Sequence, residues 1–186
     1  MNRQIIPVLA MIFSVYTFAQ EHTNSIYNLK SRFQDQEGQE RTLSELRGSP
    51  VVMAMVFTKC KSSCSLTMQD LKAIEKGLPP KTREQVRFAV FSFDSKNDTP
   101  KALKEFAQKE HVDLKRWTFF HGSPSDIRQL AALLGIRFKK IENSDQYQHS
   151  NVISILDTRG VKIYQQIGVR HDPAKSIETL QKIDAV

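Results

Sequence analysis

No run of apolar residues in this chain is long enough to cross a bilayer as a helix. The longest, Ile5–Phe18, has 14 residues, short of the roughly 18 to 20 that a span needs. Basic residues outnumber acidic ones by 27 to 20, yet the two kinds are interleaved and form no basic stripe. No aromatic platform accompanies them. A nucleic-acid surface would need that clustering, so the charge reads as a solvated exterior suited to acidic partners. No repeat or low-complexity tract interrupts the chain. Cysteine is nearly absent: Cys60 and Cys64 are the only two. With 40% apolar and 25% charged residues over 186 positions, the composition is that of one ordinary globular domain.

The first residues read as an address rather than as part of the fold. Arg3 supplies a positive start, the apolar stretch follows, and Thr17-Phe18-Ala19 ends on a small residue. This is the pattern of a secretory signal cleaved after about Ala19. An uncleaved anchor is the alternative use of the same residues. The expected organisation is a signal segment at 1–19, a flexible leader at 20–28 and a folded domain at 29–186. Removing the segment takes away Arg3 and no acid, so the net charge falls from +7 to +6. The domain is expected in an exported compartment, the periplasm, with no stable membrane span in the mature chain.

What is present is organised around Val51–Leu71. Val51–Phe57 is a near-continuous apolar run with the β-branched content of a strand buried on both faces. Thr58-Lys59 ends it, and the two cysteines follow. From Ser62 the pattern predicts a helix, with Leu66, Leu71 and Ile74 on one stripe and Gly77-Leu78-Pro79-Pro80 as the stop. Before this unit, Leu29–Arg41 predicts a hairpin turning near Gly38. After it come a buried strand at Val86–Phe93, a loop at Asp94–Asp98, and a helix capped by Thr99-Pro100. A short strand at Trp117–Phe120 and a helix from Ser123 to Gly135 come next. A polar stretch, Lys139–His149, leads into a strand at Val152–Leu156, its hairpin partner at Val161–Ile167, and a last helix ending near Ile183. The order predicts an α/β fold with helices on both faces of a central mixed β-sheet and an N-terminal hairpin.

A strand feeding a helix places the side chains at the junction at the carboxyl end of a sheet, where open α/β folds put their chemistry. The cysteines are spaced C-x-x-x-C, one residue longer than the C-x-x-C of a dithiol oxidoreductase. In a helix, positions i and i+4 share a face. The positive helix N-terminus, with Lys59 and Lys61 beside Cys60, predicts lowered thiol pKa values. Thiolates are both redox nucleophiles and soft metal ligands. A structural disulfide is the plainer reading, but a bridge closing so small a loop contributes little through chain entropy. His149, at the end of the polar loop before the late strand, is the histidine placed to join two sulfurs in an S₂N site. Met53, Met55 and Met68 read as core. Asp94 and Asp98 read as turn-forming and capping residues.

At these residues the chain resembles the SCO/SenC family, thioredoxin-like copper proteins linked to cytochrome c oxidase assembly. The resemblance runs from about Asn28 to Ile183. It includes Asp35, Gln36 and Gly38 of a D-Q-x-G turn, and Leu46, Gly48, Pro50 and Val51 of an L-x-G-x-P-V entry. Phe57, Thr58, Cys60 and Cys64 form the F-T-x-C-x-x-x-C core. Asp94, Asp98, Thr99 and Pro100 match the D-x-x-x-D-T-P loop, and His149 is the histidine before the late strand. Lys61 and Ser65 stand where the family usually carries proline. The resemblance implies a thioredoxin-like fold in which Cys60, Cys64 and His149 bind copper(I) or copper(II), while the cysteines also cycle between dithiol and disulfide. It implies a metallochaperone whose partner is the copper-site subunit of cytochrome c oxidase or another copper or thiol protein. A copper-independent thiol–disulfide oxidoreductase or redox sensor is the alternative. The missing C-x-x-C, and the absence of proline between Asp145 and Ser150, count against ordinary thioredoxin chemistry. Thr58 lies only two residues before Cys60, which fits a peroxidase of the peroxiredoxin type poorly.

Overall fold

The computed structural model describes residues 24–61 and 63–183. The signal segment and the start of the leader expected from the sequence lie outside them. A seven-stranded sheet in the order β2-β1-β5-β4-β3-β8-β9 is the frame of the molecule. Its centre is β3 (Val51–Val56), every residue of which is buried. Parallel β4 (Arg87–Ser92) lies on one side of it and antiparallel β8 (Val152–Leu156) on the other. The β-branched and aromatic content of β3, β4 and β8 suits a surface buried on both faces. Beyond β4, β5 (Trp117–Gly122) pairs in parallel. The hairpin β1–β2 (Arg32–Asp35 and Glu40–Thr42) then adds antiparallel to it, turning at Gly38 with φ 79°. At the other edge β9 (Lys162–Ile167) returns along β8.

Two crossovers, β3–α1–β4 and β4–α3–β5, advance in the same direction across the sheet. Right-handed connection therefore puts α1 (Cys64–Gly77) and α3 (Pro100–Lys109) on one face. Salt bridges fit this placement: Lys72 of α1 pairs with Glu110 at the end of α3, and Glu75 of α1 pairs with Arg116, just before β5. Strand β9 shows which helix covers the other face. Gln166 bonds Asp70 of α1 and Ser176 of α5 (Ala174–Ile183). Its neighbour Gln165 points the opposite way and donates to the Leu134 carbonyl of α4 (Pro124–Leu134). Helices thus cover both faces of a mixed sheet in a thioredoxin-like arrangement. None among the described residues is long and apolar enough to cross a membrane.

Three features differ from the sequence reading. Helix α1 begins at Cys64, not near Ser62, because the chain first makes a turn in which the Cys60 N–H donates to the Phe57 carbonyl at 3.3 Å. The first bond of the helix then runs from the Thr67 N–H to the Ser63 carbonyl. A short helix, α2 (Pro80–Gln85), follows α1 directly. Its first residue is the second proline of the pair that stops α1, and proline suits a first helical position as well as it ends a helix. The polar stretch before β8 is a second hairpin, β6 (Phe138–Lys140) paired with β7 (Tyr147–His149). Three-residue strands are too short to show an alternating pattern, yet Phe138, Tyr147 and His149 share the face that packs on Phe93.

Candidate metal centre

Strand β3 ends at Val56, and Thr58, two residues on, is fastened to Asp98. Its N–H donates to Asp98 Oδ2 at 2.9 Å and its hydroxyl to Oδ1 at 2.6 Å. The Asp98 carboxylate is fully buried and also accepts the Ser92 hydroxyl at 2.5 Å. Asp94 accepts from Asn97 and from the Tyr147 hydroxyl, so it reaches the second hairpin. Both residues form the turn expected of them, since the Asp98 N–H bonds the Asp94 carbonyl. They also hold together the two loops that carry the reactive side chains.

Cys60, Cys64 and His149 converge above this junction. One ligand atom from each lies within 4.8 Å of the other two. Among the described residues no other group of three such donors comes together. Cys60 is half-buried, Cys64 is 2% exposed, and no disulfide joins them. The cysteines do not share successive turns of one helix. Cys60 stands in the turn before α1, and the Cys64 N–H points at its sulfur at 3.4 Å, so the sulfur occupies the place of a capping acceptor. Cys64 Sγ is 3.9 Å from His149 Nε2, and Ser63 Oγ is 3.5 Å from it. On the far side of the ring, His149 Nδ1 is 3.3 Å from the Ser150 carbonyl. A donated Nδ1–H there leaves the Nε2 lone pair facing the sulfurs.

The electrostatics correct one expectation. The Cys64 thiol is pushed well up, not down, first by burial and then by its bond with Cys60. Desolvation outweighs the helix N-terminus because Cys64 lies inside the first turn, under the loop. Burial likewise lowers the His149 pKa, which favours the neutral, ligating imidazole. The ring is held by Phe93 and Phe57, with centroids at 4.8 and 6.1 Å. The neutral imidazole offers a nitrogen lone pair, whereas the buried thiol must lose its proton before its sulfur can bind a metal. Three ligands about 2.0–2.3 Å from one metal and roughly 120° apart stand about 3.7–4.0 Å from each other, so donors that lie within 4.8 Å need to close by somewhat under about 1 Å. Two sulfurs and one nitrogen suit a soft or borderline ion.

The other histidines lie elsewhere. His111 is exposed beyond α3, His121 bonds the Asp98 carbonyl through Nδ1 at 2.9 Å, and His171 packs by Gly168. His22 is outside the described residues. Met53, Met55 and Met68 are in the core, as expected. Gln146 escaped the sequence reading. Its side-chain amide donates to the Lys59 carbonyl at 3.0 Å and accepts from the Lys61 N–H at 3.3 Å. Nothing in its residue type or spacing announces that contact, since Lys59 is 87 positions away.

The chain matches the SCO1/SenC family over residues 19–184. A SCO1 protein homolog of Bacillus subtilis (strain 168) is 30% identical over 148 residues, covering 78% of this chain and 76% of the relative. BsSco, a member of the Sco family of cytochrome c oxidase assembly proteins, superposes with a TM-score of 0.73 at 27% identity. That match covers 83% of this chain and 91% of BsSco. ScoI of Bradyrhizobium japonicum, solved with copper bound, gives a TM-score of 0.70 at 20% identity over 82% of this chain and 96% of its own. At that identity the last likeness speaks for the fold alone. With its fold, its C-x-x-x-C turn and a match over most of its length, the chain belongs to the SCO1/SenC family.

Proposed function

We propose that this protein binds one copper ion through Cys60, Cys64 and His149 and serves the assembly of a copper site in an exported compartment. The observation that carries the reading is the convergence of two thiol sulfurs and one imidazole nitrogen within 4.8 Å at the carboxyl end of β3. The donor set suits copper(I) through its sulfurs and copper(II) through the added nitrogen. Relatives of this chain include a ScoI solved with copper bound and a member of a family of cytochrome c oxidase assembly proteins. The partner is then the copper-site subunit of cytochrome c oxidase, or another copper or thiol protein. The apolar N-terminal stretch supports export to the periplasm.

The same two sulfurs can also reduce a partner's disulfide. Two thiol hydrogens and two electrons pass to the partner, one disulfide forms here and one is broken there. Copper-independent exchange of this kind is the alternative reading, in which His149 would act only as a base for the Cys64 thiol. Metal analysis of the reduced mature protein separates the two. The expected result is one copper per chain, with tight binding abolished by Cys60→Ser or by Cys64→Ser. A strong preference for zinc, or unchanged copper affinity in either serine variant, would overturn the copper reading.

A further inference from the structure

Gln146 bridges the two segments that carry Cys60, Cys64 and His149. The sulfurs sit at the junction of β3 and α1 and the histidine on β7, more than eighty positions later in the chain. Three kinds of contact join these segments. One is the approach of Cys64 Sγ and Ser63 Oγ to His149 Nε2, which a bound metal would replace. The second is ring packing of Tyr147 and His149 on Phe57 and Phe93, which fixes depth but tolerates sliding. The third is directional. The Gln146 amide spans Cys60, with its nitrogen on the carbonyl before it and its oxygen on the N–H after it. A flipped amide would set donor against donor and acceptor against acceptor, so the network assigns the orientation.

The amide is itself fixed from behind. The Gln146 N–H donates to Ser144 Oγ at 3.0 Å, and its carbonyl accepts the Ile141 N–H at 2.9 Å, closing the tip of the hairpin. Strand β7 starts at the next residue, so a shift at Gln146 is passed directly to His149. We infer that Gln146 is a positioning residue that sets the distance between His149 and the two cysteine sulfurs. Two sulfurs alone can hold a soft ion on a loosened loop, whereas a three-donor set needs the nitrogen at a fixed reach. Groups that orient ligands without touching the metal typically change its affinity about 10- to 100-fold when removed.

The test compares Gln146→Ala, Gln146→Glu and, as a control on the exposed face of the same hairpin, Gln148→Ala. Its metal readout rests on the copper reading above; its geometric readout does not. In the metal-free protein, nuclear Overhauser contacts between the His149 ring and the Cys64 β-protons should weaken in Gln146→Ala, and the Lys61 amide should exchange faster. With copper(II), the same variant should lose affinity by about 10- to 100-fold and shift its sulfur-to-copper absorption, while copper(I) affinity changes little. Gln146→Glu keeps the acceptor for Lys61 but sets an oxygen against the Lys59 carbonyl, and should fall between. Gln148→Ala should match the wild type in every respect. A Gln146→Ala protein with wild-type His149–Cys64 contacts overturns the inference, as does one with faster Lys61 exchange and an unchanged copper(II) band. A wild type that binds neither copper(I) nor copper(II) would sink the copper reading, and the metal-free contacts would still decide the role of Gln146.

Discussion

His149 has its Nδ1 occupied by the Ser150 carbonyl and its Nε2 turned to Cys64, so a single ring atom is available to a ligand. That division predicts separate effects on the two copper states. Copper(I) tolerates low coordination numbers and can rest on two thiolates, whereas copper(II) prefers added nitrogen and otherwise oxidises a thiolate pair. His149→Ala is therefore expected to keep much of the copper(I) affinity and to lose the persistent sulfur-to-copper(II) absorption, with the cysteines oxidising as copper(II) is added. Alanine at His111, His121 or His171 should do neither, since those side chains are exposed or engaged elsewhere. A copper(II) titration followed by absorbance and free-thiol count decides it. An unchanged band in His149→Ala would remove the histidine from the site.

The elements that meet beneath the site depend on a buried carboxylate. Asp98 lies in the loop between β4 and α3 and takes three hydrogen bonds, two from Thr58 at the end of β3 and one from Ser92. An aspartate with no exposure survives there only because each oxygen is satisfied. Asp98→Ala would strand three donors, two of them at the root of the cysteine turn. The expected loss is on the order of 3 kcal/mol in chemical denaturation, with weakened metal binding in the fraction that stays folded. Asp98→Asn keeps the shape and part of the bonding, so its loss should be smaller. Equal, near-zero losses in both variants would show that the carboxylate does not pin the turn.

Across the whole molecule, stability in acid has a readable sign. Asp157, in the turn joining β8 to β9, is held below the usual carboxylate range. Burial works to raise it, but N–H bonds from Val161 and Arg159 and the Arg159 guanidinium outweigh that. A carboxyl whose folded pKa lies below its unfolded value of about 3.9 contributes stability that is present above that pH. The contribution is lost as the pH falls through the folded value. Asp157→Asn should therefore be less stable than the wild type near neutrality, by on the order of 1 kcal/mol for partly exposed bonds. The two should converge as the pH drops below the unfolded value of about 3.9 and through the folded one. Urea unfolding of both proteins across that range measures it, and a gap independent of pH would contradict the assignment. Glu45 is lowered in the same direction, chiefly by the Thr42 N–H, and adds to the same acid-side loss.

The periodic elements were legible in the residues. Val51–Val56, Val152–Leu156, the Thr99-Pro100 and Ser123-Pro124 helix starts and the turn at Gly38 all follow from local apolar pattern, capping chemistry and backbone freedom. So did the candidacy of Cys60, Cys64 and His149, because few residue types carry that chemistry and the strand-to-helix junction gave two of them an address. What local pattern could not hold was decided by contacts across the sheet. The β6–β7 hairpin has too few residues to show a period and exists because Phe138, Tyr147 and His149 have Phe93 to pack against. Helix α1 starts two residues late because the Cys60 N–H turns back to Phe57. The direction of the Cys64 pKa runs against the local pattern for a related reason: a helix N-terminus is a local feature of the chain, whereas the burial that overrides it comes from the neighbours the fold brings in. Gln146 is the clearest case, an unremarkable polar residue whose role is its reach to Lys59 and Lys61, and only the tertiary structure supplies a reach.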